Sequence, residues 1–183
     1  MQELPTDAIA SILATPELAQ NFRGQLYRVL GLLDQKWHKS LACDFTEHIL
    51  WIAERSRLDY DFGADLKLIR DFIDRNSELF HVYRNIQSKS DPGYEAALNM
   101  IWSLHLTYLV CCQRELEKTG EIFRNKYQPD ATSVAGYAAT AVMNFPQRTE
   151  PETFERKKAH ELRAAEFNWQ LDHTLRIIGY HKP

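Results

Sequence analysis

Apolar residues recur along this chain at intervals of three and four, the spacing of one helix face, over almost its whole length. Phe22, Leu26, Val29, Leu30 and Leu33 fall together in one segment, and Leu66, Ile69, Phe72 and Ile73 in another. Start signals punctuate the pattern. Thr15 followed by Pro16 predicts a capped helix start, with the helix running on through residues 18–34. A second helix is predicted from about Gln35 to Ser56, with residues 57–63 as a connector and a third helix over 64–76. A further short helix is expected over 77–87. Asp91 and Pro92 repeat the start signal ahead of the most apolar segment in the chain, a helix over about 93–118. After a loop, the small-residue stretch ATSVAGYAATAVMNF predicts a short helix that can approach a neighbour closely, broken by PQRTEPE. A last helix is predicted over about 152–178. No segment alternates as a strand, and the loops are short enough to make successive helices pack antiparallel. The expected fold is all-α: one domain over 1–183, a bundle of six to eight helices around the central apolar helix.

Composition adjusts this picture little. Seven Gly and seven Pro in 183 residues leave few breakers, and 44% hydrophobic with 26% charged residues is ordinary for a globular chain. The net charge of −3 is spread without a basic stripe, so nucleic acid is not an expected partner. The first twenty residues carry acids and an early proline with no basic region, unlike a secretory signal. Residues 96–112 lack any Asp, Glu, Lys or Arg but fall short of the ~20 apolar residues of a membrane span. Three cysteines, two of them the neighbours Cys111 and Cys112, fit free thiols in a reducing cytoplasm.

The densest cluster of reactive side chains is SLACDFTEHILW, with Cys43, Asp44, Glu47 and His48 within six residues. At about 100° per residue, Trp37, Leu41, Phe45, Ile49 and Ile52 form the core face. Cys43 and His48 then diverge by roughly 140° and cannot hold one ion alone. Asp44 and His48, spaced i and i+4, are left as a pair, either a carboxylate orienting an imidazole or a local boundary contact. On the central helix His105 lines up with Tyr94, Leu98, Ile101, Cys112 and Leu116. It is expected as a satisfied core histidine, with an internal polar pocket as the alternative. On the last helix Glu161, Asn168 and Asp172 align between two apolar stripes. One stripe is His160, Ala164, Phe167, Leu171, Leu175 and Ile178; the other includes Leu162, Ala165 and Trp169. That polar seam is either solvated or faces a groove.

Well-marked enzyme classes find no support. The paired Glu-x-x-His repeats of di-iron bundles, His-Glu-x-x-His, Cys-x-x-Cys, the P-loop, the dinucleotide fingerprint and the Gly-x-Ser-x-Gly elbow are all missing. Neither a metal nor another cofactor is expected. The ligand-binding candidates are His105, Glu161, Asn168, Asp172, Asp44 and His48.

Four stretches in order, QKWHKSLACDFTEHILWIAERS, DPGYEAALNMIWSLHLTY, DATSVAGYAATAV and AAEFNWQLDHTLRII, resemble the YjaG-like bacterial proteins, a helical family of unknown function. The resemblance spans roughly 24–178 and implies an all-helical cytoplasmic bacterial domain, with no functional residue carried over. The resulting expectation is a non-enzymatic interaction module, acting on a protein partner or as a homodimer through the small-residue helix or an exposed aromatic face. The alternatives are a small-molecule or metal binder using His105 and the seam, and an immunity-type antagonist of a toxin.

Overall fold

The computed structural model describes residues 4–56, 61–75, 95–119, 129–149 and 156–180. Among them are eight α-helices and no strand: α1 (Thr6–Ala14), α2 (Phe22–Leu30), α3 (Gln35–His48), α4 (Trp51–Arg55), α5 (Phe62–Arg75), α6 (Glu95–Thr119), α7 (Ala131–Thr149) and α8 (Arg156–Ile177). The all-α bundle and its long apolar helix are as the periodicity predicts. The predicted helix over 77–87 and the Asp91–Pro92 start lie outside the described residues.

Three boundaries differ from expectation, the first two for a local reason. Thr15 does not cap a long helix. Its hydroxyl donates to the Ser11 carbonyl at 2.8 Å, Pro16–Leu18 make one 3₁₀ turn, and α2 starts afresh under Asn21, whose side chain accepts from the Gly24 amide at 2.9 Å. The segment 35–56 is two helices, not one. Asp34 caps α3 by accepting from the amides of Lys36 and Trp37, and α3 ends at His48, where Ile49 leaves helical geometry (φ −105°, ψ 2°). Third, α7 runs past Pro146 to Thr149, although proline cannot donate to the carbonyl four residues back.

The core falls into two clusters that share α3, α6 and α7. One joins Ile49, Ile52, Leu66, Ile69, Met100, Leu104, Ala138, Ala141 and Phe145. The other joins Leu26, Leu30, Leu41, Phe45, Leu106, Val110, Ala131, Val134, Ala135 and Leu171. Early α7 residues thus meet late α6 residues and late meet early, so the two helices run antiparallel. Gln35 reaches the Val110 carbonyl at 3.5 Å while Thr46 meets Ser103 at 2.8 Å, which sets α3 antiparallel to α6 as well.

Between α3 and α6 lies a fully buried hydroxyl node. Thr46 Oγ1 is 2.8 Å from both Ser103 Oγ and Thr107 Oγ1, and Thr107 Oγ1 is within 3.1 Å of the Ala42 and Ser103 carbonyls. Proton counting gives a self-consistent chain, Ser103 to Thr46 to Thr107 to a carbonyl, so no hydroxyl is left without an acceptor. We predict that Thr46→Val lowers stability by about 1–3 kcal/mol, because it strands partners in a dry interface. Replacing all three hydroxyl residues by Val, Ala and Val should recover part of that loss. Urea midpoints of the two variants check both statements.

Candidate functional site

Polar side chains converge where α3, α5 and α8 meet. Asp44 of α3 is the hub: its Oδ1 accepts from Arg70 Nη2 of α5 at 2.8 Å, and its Oδ2 lies 2.9 Å from His173 Nε2 of α8. Arg70 Nη2 also donates to Glu47. One turn on from Asp44, at the end of α3, His48 Nε2 stands 3.3 Å from Glu166 Oε2. The pairs 44–173 and 48–166 run in opposite directions, so α8 crosses α3 antiparallel. Between the two imidazoles sits the Trp169 indole, stacked on His48 with centroids 3.4 Å apart and on His173 with centroids 4.9 Å apart. The cluster is therefore a three-ring stack, His48–Trp169–His173, with one carboxylate at each end.

Helix periodicity places these groups. Glu166, Trp169 or Gln170, and His173 are successive turns of α8, and Asp44 and His48 are successive turns of α3. Glu166 is only 5% exposed, and Gln170 at 0% links it to the next helix: Gln170 Nε2 donates to Glu166 Oε1 at 3.1 Å and to the Ala135 carbonyl of α7 at 3.3 Å. Both of those neighbours only accept, which fixes the amide orientation. Partial burial disfavours the charge on Arg70, but the Asp44 hydrogen bond and the charges of Asp44 and Glu47 outweigh it. The net result is a guanidinium pKa above its ordinary value.

The hydrogen-bond pattern also assigns the histidine protons. Arg176 Nη2 stands 2.8 Å from His173 Nδ1, and arginine can only donate. Nδ1 therefore carries the lone pair, and the proton is on Nε2, donated to Asp44. With both nitrogens engaged, His173 is held in one orientation, without a lone pair left for a metal or a substrate proton. His48 Nε2 faces Glu166 from a ring about one-third exposed at 36%. Neither imidazole is bonded to a hydroxyl or a thiol; their partners are carboxylates, a guanidinium and an indole face. Among the described residues no three or more His, Cys, Asp or Glu side chains are grouped so as to hold a metal ion. The arrangement ties α3, α5 and α8 together through side-chain contacts.

The candidates read from sequence are dispersed. Asp44 and His48 do share this cluster, but they are not each other's partners: both reach across to α8, where Asp44 meets His173 and His48 meets Glu166. Glu161 and Asp172 are exposed and Asn168 is half-buried, so the seam does not line an interior pocket with His105. The buried face of α8 is instead rotated toward Glu166, Phe167, Gln170, Leu171, Thr174 and Leu175, while His160, Ala164 and Ala165 are exposed. His105 is half-buried on α6, edge-on to Trp102 with centroids 5.4 Å apart, and burial lowers its pKa. It lies at the surface of the bundle rather than in the dry core. Cys43, Cys111 and Cys112 are free and buried. A hydrogen bond with Cys43, then burial, pushes the Cys111 thiol up, and burial pushes Cys112 up to about 12, so both stay protonated.

Sequence reasoning passed over Arg70, Glu166, Trp169, Gln170, His173 and Arg176. Glu166, Gln170 and His173 recur at helical spacing, a signal present in the chain. It reads as a solvated stripe unless a partner helix is known to lie opposite.

Removing Asp44 deprives Arg70 and His173 of a shared acceptor. We expect Asp44→Ala to cost about 2–3 kcal/mol, in line with hydrogen bonds to charged groups. Glu47 is exposed, and Glu47→Ala should cost under ~0.5 kcal/mol because solvent screens its pair with Arg70. Equilibrium denaturation of both variants separates the two contributions. A second expectation concerns pH. The folded His105 binds its proton less readily than the unfolded chain, so between its lowered pKa and 6.5 the unfolded state holds more protons. Stability contributed through this group therefore rises with pH across that window and is lost as pH falls. His105→Gln should flatten the change in urea midpoint between pH 5 and pH 7 relative to the native chain.

No protein-family model, curated protein or solved structure matches this chain.

Proposed function

We propose that this is a non-enzymatic protein-interaction module, a cytoplasmic bacterial protein of the YjaG-like kind, and that it binds through the outer face of α6 and α7. The observation that carries this reading is Trp102, 44% exposed, flanked by Leu98 at 36% and Tyr137 at 39%. The Trp102 and Tyr137 rings lie 6.2 Å apart. Tryptophan and tyrosine are the residues that anchor interfaces, because each buries a large area at little rotamer cost. The other surface considered from the sequence, the small-residue helix, has its alanines committed inside: Ala131, Ala135, Ala138, Ala139 and Ala141 are each 0% exposed.

Two further features support the same reading. The imidazoles of the α3–α8 clasp have carboxylate, guanidinium and indole partners, which favours a scaffold role for that cluster over a catalytic one. Free thiols are in keeping with a reducing compartment. No helix among the described residues is long and apolar enough to cross a membrane, and the net charge of −3 argues against a phosphate backbone as partner.

Site-specific photo-crosslinking in the bacterial cytoplasm tests the proposal. A benzophenone side chain at position 98 or 137 should give a discrete adduct, and the same group at exposed Lys157 of α8 should not. Trp102→Asp should abolish the adduct. Equal labelling at all three positions, or none at 98 and 137, would overturn the reading.

A further inference from the structure

Three aromatic rings of this fold carry a guanidinium of the chain itself. Arg23 Cζ stands 5.1 Å from the Tyr27 ring centroid, Arg55 Cζ 5.2 Å from that of Trp51 and Arg163 Cζ 5.7 Å from that of Phe167. Each contact is the attraction of a cation to the negative face of a π system. Trp102 and Tyr137 are the exposed aromatic rings among the described residues, at 44% and 39%. Among those residues no arginine or lysine is placed over either ring.

We infer that Trp102 and Tyr137 receive an arginine from a basic segment of the partner protein, and that exposed Glu95 takes a second cation of the same segment. The inference rests on the interaction-module reading and adds the chemistry of the partner. Glu95, Leu98 and Trp102 recur at intervals of three and four on α6, so carboxylate and indole share one stripe, two turns apart. Tyr137 of α7 lies beside the indole, with the rings 6.2 Å apart and 31° from parallel. The electrostatics around the rings favour a cation. Glu95 is the one Asp, Glu, Lys or Arg within residues 95–112 and 131–145, so no lysine or arginine there repels a guanidinium or competes with it. His105, edge-on to Trp102, has its pKa lowered by burial and is uncharged at neutral pH. The net charge of −3 draws a basic partner in at longer range. Arginine suits the site better than lysine, because its planar and weakly hydrated group stacks on an aromatic face. It is also the residue that the chain itself sets over Tyr27, Trp51 and Phe167.

Geometry sets the spacing of the two cations and the strength of the contact. Seven helical residues carry the axis about 10.5 Å from Glu95 to Trp102. Two arginines three residues apart in an extended, polyproline-type chain are separated by about 9 Å, and their flexible side chains cover the difference. A cation over an exposed ring changes an equilibrium constant by roughly 2- to 5-fold, and an exposed ion pair by a similar factor. A short basic segment alone therefore binds weakly, with a dissociation constant on the order of 1 mM.

The test titrates the full chain with the peptide Gly-Arg-Gly-Gly-Arg-Gly, blocked at both ends, and with a counterpart in which citrulline, an uncharged analogue of the same shape, replaces both arginines. Two-dimensional NMR of the isotope-labelled protein follows the indole N–H signals of its four tryptophans, and Trp102→Phe identifies the signal of Trp102. The expected result is a saturable shift of that signal with the arginine peptide, at an affinity roughly 5- to 10-fold above that of the citrulline peptide. Raising salt from about 0.05 to about 0.5 M should weaken the arginine peptide, because the Glu95 pair is solvent-exposed. Glu95→Gln should weaken it about 2- to 3-fold, and Glu17→Gln, an equal change of charge at an exposed position on another element, should not. Equal shifts with the two peptides, or an arginine affinity indifferent to Glu95→Gln, would overturn the inference. The two proposals fail distinguishably. A discrete adduct at position 98 or 137 of a chain that treats both peptides alike keeps the interaction module and loses its cationic partner, whereas no adduct and no preference for arginine remove both.

Discussion

Helices can gather round α7 only because the residues it turns toward them are small. It packs against α2, α3, α4, α6 and α8, and alanines at 131, 135, 138, 139 and 141 meet them with methyl groups. Small side chains let helix axes approach closely, and the Ala135 carbonyl comes within reach of Gln170 on α8. Gly136 carries the same logic to its limit, since a Cβ there would stand 3.1 Å from the Tyr27 hydroxyl. The small side chains bury little apolar area themselves. Stabilisation instead comes from the large residues that the close approach lets pack around them, among them Phe45, Leu26, Leu30, Met100, Leu104 and Leu171.

Close approach also explains where the buried polar groups lie. Gln170, with no exposure at all, spans α8 and α7 by donating to the Ala135 carbonyl, and His38 Nδ1 accepts from the Ala131 amide at the start of α7. The hydroxyl node does for α3 and α6 what these two contacts do for α7. Such bonds add little net energy to folding, yet the register is fixed by them, because a helix that slides by one turn strands every one. The Asp44 cluster acts similarly at the rim, where partial exposure softens the cost of burying charge, Arg70 and His173 flank the Asp44 carboxylate, and Glu47 shares Arg70.

How much of this was legible in the sequence follows from the range of each interaction. Helical periodicity is local, and so the α6 and α8 spans were readable to within a few residues. Asp34 as the cap of α3 was equally local in its mechanism. The break after His48 was not legible, because Trp37, Leu41, Phe45, Ile49 and Ile52 keep one apolar phase straight through it. The polar residues of α8 show the limit most clearly. Glu166 and Gln170 are hydrophilic and therefore read as outward-facing, but α3 and α7 lie against them: His48 of α3 stands opposite Glu166, and the Ala135 carbonyl of α7 accepts from Gln170. Asp44 and His48 stand out in the sequence as a carboxylate and an imidazole one turn apart. Their i, i+4 spacing suggested a mutual pair because one helix was in view, and the partners stand on another.

The same reasoning separates the interior of the hairpin from its outside. On the inner faces of α6 and α7 the lack of charge is required by burial, and residues such as Met100, Leu104, Ala138 and Ala141 account for it. On the outer face burial within one chain gives no such reason. Leu98, Trp102 and Tyr137 stand over one-third exposed there, beside exposed Glu95, in a chain that is 26% charged overall. A solvent-facing helix surface ordinarily carries Lys and Glu, which stabilise the helix by i, i+4 pairs and keep the surface wet. Over residues 96–112 and 131–147 the two helices forgo such pairs, so these turns are held by the packing of their inner faces rather than by surface charge.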